Sequence, residues 1–149
     1  MHYNGGVKVI DYKSQWLTDI ELPLANKFYR YFAFRGKAKR HEDCAIVRYQ
    51  QNELVACAYL RRYEHFKLLA GVAVAPMHQG VGVARCLLHF QSSRFDDKTY
   101  TFPYVHLQPF YESLGFVLVD MQKVDAGVMG LFKRYRDQGR NIILMLYHG

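Results

Sequence analysis

The apolar positions of this chain change period several times, and each change marks an element. Val7 to Asp11 alternates apolar and polar, which predicts a short strand. Thr18 and Asp19 are helix-start residues, and Pro23 suits a first helical turn. Leu24, Phe28, Tyr31 and Phe32 follow at i, i+4, i+7 and i+8, which predicts one apolar helix face, and Gly36 ends that helix. Cys44–Tyr49 and Glu53–Arg62 read as strands, and the link through Gln51-Asn52 is short enough to make them an antiparallel hairpin. Phe66–Val74 is a third apolar strand, stopped by Pro76. Val83, Leu87 and Phe90 share one face of a predicted helix from Val83 to Phe90. Thr99–His106 reads as a strand interrupted by Pro103, Pro109–Leu114 as a short helix ended by Gly115, and Phe116–Val119 as a strand. The pattern is unreadable from Asp120 to Arg140, and Asn141–Tyr147 predicts a last strand.

That order predicts an α/β (α+β) fold: a mixed, mostly antiparallel sheet of six to seven strands with helices on both faces. It lacks the strict strand-helix alternation of a doubly wound nucleotide fold. No linker-like stretch or internal repeat divides the 149 residues, so a single domain over 1–149 is expected. Half the residues are hydrophobic and only 22% charged, which disfavours disorder. Twenty Lys and Arg against 13 Asp and Glu give a net charge of +7, and such a surplus suits an acidic partner, whether nucleic acid or a small polyphosphate.

Cys44, Cys57 and Cys86 are odd in number and form no CxxC pair, which points away from disulfides and zinc. The histidines show no HxxxH or HExxH spacing, so no metal is expected. Met1–Gly6 has no basic segment leading into an apolar run, and no stretch is long enough to span a membrane. A cytoplasmic protein with reduced thiols is the expectation. Cys86 is expected to pack in the core.

The segment from Val72 to Leu88 carries the most chemistry. A strand runs into Gln79-Gly80-Val81-Gly82 and then into a helix. Such a turn presents backbone N–H groups that have no intrahelical partner, at the positive end of a helix dipole. That is an anion site suited to phosphate, and glycines let the backbone approach a bulky pyrophosphate. A Walker loop, lacking Gly-Lys-Ser/Thr, and a Rossmann turn, with Arg85 where Gly or Ala is needed and no repeating βα context, are both poor fits; an ordinary Gly-rich connection with no ligand is the other reading of these glycines alone.

The run Val74-x-Pro76-x-x-Gln79-Gly80-x-Gly82-x-Ala84-x-x-Leu87-Leu88 resembles the acetyl-CoA signature of the GCN5-related N-acetyltransferases, Gln/Arg-x-x-Gly-x-Gly/Ala. Phe110-Tyr111-Glu112-Ser113-Leu114-Gly115-Phe116 resembles the same family's Phe-Tyr-x-x-x-Gly-Phe segment. The close match runs from about Leu69 to Val119. The resemblance implies an acyl-CoA N-acyltransferase-like fold and transfer of acetyl from acetyl-CoA to a primary amine by direct attack in a ternary complex. It implies that the backbone of Val72, Ala73 and Val74 holds the pantetheine arm, with an N–H near Val74 polarising the thioester carbonyl. It places the pyrophosphate over Gln79, Gly80, Val81, Gly82, Val83 and Ala84. It implies Tyr111 as the acid that protonates the leaving thiolate. Glu64, in the link between two strands, is the candidate base, with His65 and His106 as others; the motif fixes no position for it. The family's usual Asn and full helix before the Phe-Tyr pair shrink here to His106-Leu107-Gln108-Pro109.

The expected partner is an amine-bearing acceptor, small molecule or protein, and homodimers are common for such folds. A catalytically silent CoA-binding or protein-interaction member is the alternative. The basic clusters Arg35, Lys37, Lys39, Arg40, His41 and Lys133, Arg134, Arg136, Arg140 would attract acidic acceptors or CoA phosphates. A nucleic-acid module is a weaker third reading.

Overall fold

The computed structural model describes residues 11–149, together with the backbone pairing of β1 (Tyr3–Asn4) with β2 (Val7–Lys8). The rest of the strand expected over Val7 to Asp11 lies outside the described residues, apart from Asp11, whose backbone is 3-10 rather than strand. The chain forms two compact units, residues 1–61 with 70–93 and residues 62–69 with 94–149.

In the first unit β3 (Tyr12–Trp16) precedes α1 (Leu22–Tyr31), and β4 (Asp43–Tyr49) leads by a hairpin into β5 (Glu53–Arg62). β6 (Lys67–Val74) belongs to this unit from Ala70 onward, and α2 (Val83–Gln91) follows. β3 pairs antiparallel with β4 from Tyr12↔Tyr49 to Trp16↔Ala45, and β4 pairs antiparallel with β5 from Asp43↔Leu60 to Tyr49↔Glu53. The hairpin turns through Gln50 and Gln51, both left-handed with φ 49° and 77°.

Cys44–Val47 and Val55–Leu60 are buried without a break. Successive strand residues point to opposite faces, so burial of both parities means that both faces are covered. Tyr29 of α1 packs edge-on against Tyr59 of β5, with ring centroids 6.0 Å apart. From α2, Phe90 packs on Trp16 at 5.0 Å, and the buried Gln91 amide donates to the carbonyls of Asp43 and Ala58. The face of α1 is not the expected one. Leu22, Ala25, Phe28 and Tyr29 are buried, whereas Leu24 and Tyr31 are 43% and 79% exposed.

The second unit holds the start of β6, then β7 (Thr99–Thr101), α3 (Gln108–Ser113), β8 (Phe116–Leu118), α4 (Ala126–Asp137) and β9 (Met145–Tyr147). β6 and β7 are parallel, from Lys67↔Thr99 to Leu69↔Thr101; β9 pairs antiparallel with both β7 and β8. The strand expected over Thr99–His106 stops at Thr101. Beyond Pro103 only Tyr104 bridges, to Ile142, and Val105–Leu107 is a 3-10 turn. α4 fills the stretch whose pattern was unreadable. The Asp125 carboxylate caps it by accepting from the Gly127 N–H at 2.8 Å, and Val128, Leu131 and Phe132 bury its inner face.

Because β6 is shared by both units, the strands form one seven-stranded mixed sheet in the order β3-β4-β5-β6-β7-β9-β8.

Candidate active site

The glycine turn grows out of β6 through a 3-10 turn, Pro76–His78, set by the fixed φ of Pro76. Gln79 returns to extended backbone, Gly80 is left-handed at φ 80°, and Gly82 is left-handed at φ 89° as the N-cap of α2. The first helical bond runs from the Cys86 N–H to the Gly82 carbonyl at 3.1 Å. The amide groups of the opening turn of α2 therefore point out of the helix end with no intrahelical partner.

A Cβ built on Gly80 or on Gly82 meets no protein atom within 4 Å. The glycines are thus set by backbone conformation, and the space above them is open to an incoming group. Open space at a helix N-terminus leaves its free amides accessible to an anion. The turn is braced from beneath. The Gln79 side-chain amide donates to the Val74 carbonyl at 2.9 Å, and the Ala75 N–H donates to the Val55 carbonyl at 2.8 Å. His78 Nδ1 is 2.9 Å from the Tyr12 hydroxyl, its Nε2 is 3.5 Å from a Glu53 carboxylate oxygen, and its ring lies 4.8 Å from Tyr49.

Val72, Ala73 and Val74 lie past the end of the β6–β7 ladder at Leu69↔Thr101. Gly71 begins this stretch at φ 64°, a left-handed residue inside a strand. The Tyr29 hydroxyl donates to the Gly71 carbonyl at 2.6 Å. All the expected cofactor-binding residues therefore fall in the first unit, on one continuous piece of backbone.

Tyr111 and Glu64 fall in the second unit. Tyr111 is 4% exposed on α3, edge-on to Phe110 and Phe116 with centroids 5.2 and 5.8 Å away. Burial pushes its phenol well above the ordinary value of 10, so it holds its proton throughout the neutral range. Glu64 stands in solvent at the turn between β5 and β6, 3.8 Å from the exposed His65. His106 is exposed and stacks on Tyr104 with centroids 6.2 Å apart.

Sequence reasoning missed the Tyr12–His78–Glu53 brace, which has no linear signature. It also missed Gly71, although an isolated glycine inside a strand pattern signals a bulge. One cysteine expectation needs correction: Cys86 is exposed on α2 rather than in the core. Cys44 and Cys57 are free thiols, both buried, with sulfurs 3.6 Å apart. Among the described residues no cluster of His, Cys, Asp and Glu could hold a metal ion.

Residues 41–118 match the acetyltransferase (GNAT) domain, 78 of 149 residues and so just over half the chain. The chain belongs to the GNAT acetyltransferase family. Both sequence signatures and the glycine turn lie inside the matched residues; α4 lies outside them. An N-acetylglutamate synthase from Neisseria gonorrhoeae, solved with coenzyme A and N-acetylglutamate, has a TM-score of 0.65 at 16% identity. The alignment covers 91% of this chain, which spans only 34% of that one. Rv2747 from Mycobacterium tuberculosis, solved with coenzyme A, gives 0.64 at 15% identity over 92% of this chain and 99% of that one. The ribosomal-protein-S18-alanine N-acetyltransferase of Escherichia coli gives 0.63 at 19% over 91% and 92%. These likenesses establish the GNAT fold. No curated protein matches the sequence. No helix among the described residues of this GNAT protein is long and apolar enough to cross a membrane.

Proposed function

We propose that this GNAT protein is an acetyl-CoA-dependent N-acetyltransferase acting on a primary amine by direct attack in a ternary complex. The observation that carries the reading is the pair of left-handed glycines, Gly80 and Gly82, whose missing side chains leave open space at the N-terminus of α2. The amides of residues 79–84 would hold the pyrophosphate, and the backbone of Val72–Val74 the pantetheine arm. Acetyl-CoA supplies the thioester carbonyl that the amine attacks.

An amine attacks only as the neutral base, and a lysine amine has a reference pKa near 10.4. A proton must leave it, and the departing thiolate must gain one. Tyr111, neutral because it is buried, supplies that second proton as general acid. Glu64 is the residue to test as base; its side chain is exposed, so it would take the proton directly or through water. Coenzyme A complexes among the structural relatives support the choice of cofactor class. The acceptors of two relatives, an amino acid for the N-acetylglutamate synthase and a ribosomal protein for the Escherichia coli enzyme, support an amine as acceptor. A cytoplasmic location and a homodimer remain part of this proposal.

The test is calorimetric titration with acetyl-CoA, using Gly82→Trp as control. Saturable binding that the bulky side chain abolishes supports the reading. Absence of binding by the wild-type protein overturns it and redirects the search to protein or nucleic-acid partners.

A further inference from the structure

The helix stripe that the sequence assigns to the core is only partly buried: Phe28 is, whereas Leu24 and Tyr31 are not. Leu24, Phe28 and Tyr31 of α1 and Phe32 just after it form, with Leu54 of β5, the wall of an open groove of about 380 Å³. That volume lies within the range of about 300–1,000 Å³ typical of small-molecule sites. The sheet-facing contacts of α1 are made one residue off this stripe, through Ala25 and Tyr29. A helix that leaves Leu24 43% and Tyr31 79% exposed beside a concavity presents unspent apolar surface. The aromatic part is ordered: Phe28, Tyr31 and Phe32 meet edge-to-face, with Phe32 5.2 Å from Phe28 and 4.8 Å from Tyr31.

The charged groups at the groove are unbalanced. Lys27 and Arg48 line it, against one carboxylate, Glu53. Glu53 has a partner of its own, since its carboxylate oxygen lies 3.5 Å from His78 Nε2. Glu21, whose carboxylate also feels Arg48, is bonded to the Thr18 amide and hydroxyl. Lys27 makes no ion pair among the described residues. Arg48 is steadied by one bond, from Nη1 to the Asn52 carbonyl at 3.1 Å, and its fork carries five N–H donors in all.

We propose that this groove is a second binding site that takes a small aromatic anion, an aryl carboxylate or sulfonate. The ring packs against Phe28, Tyr31 and Leu54, and the anionic group faces Lys27 and Arg48. The proposal does not depend on the cofactor reading, since none of these residues belongs to the glycine turn.

The experiment is calorimetric titration of the full chain with sodium 2-naphthalenesulfonate, alone and with saturating coenzyme A. One equivalent should bind in both conditions. Lys27→Glu and Tyr31→Ala should each weaken it about tenfold or more, while 2-naphthol, the neutral ring, binds more weakly than the sulfonate. Both substituted side chains are exposed, and unchanged thermal melts of the variants would verify that the fold persists. Three results overturn the site: no saturable binding; loss of binding with coenzyme A while Lys27→Glu has no effect; or equal affinity for the neutral ring. Binding of coenzyme A itself, measured in the same series, reports separately on the cofactor site.

Discussion

At Gly71 a single hydrogen atom decides the course of β6. A Cβ there would lie 2.2 Å from Tyr59 Cε2 and 2.8 Å from the Tyr29 hydroxyl, and the residue is left-handed besides. Gly71→Ala should cost about 1–2 kcal/mol in backbone strain and about 1–3 kcal/mol in overpacking. A thermal melt should show a clear fall in Tm, and acetyl-CoA affinity should drop with it, because Val72–Val74 follow directly. Tyr111 has a different signature. Tyr111→Phe keeps the ring packed on Phe110 and Phe116 and removes only the acid. We expect kcat to fall by about 10²–10⁴ with the dissociation constant for acetyl-CoA unchanged; unchanged turnover would remove Tyr111 from the mechanism. Glu64→Gln should lower the rate mainly below the pH at which the acceptor amine deprotonates itself, and a flat rate ratio across pH would dismiss Glu64 as base. Tyr111 and the glycine pair were legible because each sits in a short linear motif. Gly71 was legible only as an oddity, since its two clashing partners lie 12 and 42 residues away along the chain.

At the scale of elements, ends and faces separate. The helix start read at Thr18 is the N-cap of a 3-10 turn, Asp19–Glu21, that leads into α1 at Leu22; the Glu21 carboxylate accepts from the Thr18 N–H and hydroxyl at 3.0 and 2.9 Å. Those bonds hold the Glu21 carboxyl below its ordinary 4.5, the Thr18 N–H contributing most. A carboxyl whose folded pKa is lowered adds stability above its unfolded pKa and loses it as pH falls through the folded value. Stability of the wild type should therefore fall more steeply below about pH 4.5 than that of Glu21→Gln, as denaturant titration at several pH values would show. The face of α1 could not be read so well. Ten residues hold two overlapping apolar stripes, and the sheet selects the one containing Ala25 and Tyr29. α4 was missed because Gly127 and Gly130 weaken its propensity, although Asp125 followed by Val128, Leu131 and Phe132 at i+3, i+6 and i+7 was a usable signal. In the glycine turn, Gln79→Leu removes the brace on the Val74 carbonyl, and acetyl-CoA binding should weaken by about 1 kcal/mol.

For the whole molecule the net charge of +7 should matter more for ligands than for the fold. Binding of acetyl-CoA should weaken steadily as salt rises, since exposed charges are screened over about 10 Å at 0.1 M. What the sequence by itself determined was local: the strands of the β4–β5 hairpin, the turn that opens α2, the short α3 closed by Gly115, and the family motifs that ride on them. These depend on periodicity, proline, glycine and capping, all of which act within a few residues. Tertiary structure alone decided which stripe of α1 is buried, the contact between the Cys44 and Cys57 thiols, the early end of β7 and the Tyr12–His78–Glu53 brace. Each depends on which distant segment arrives opposite, and a single chain read in order carries no term for that.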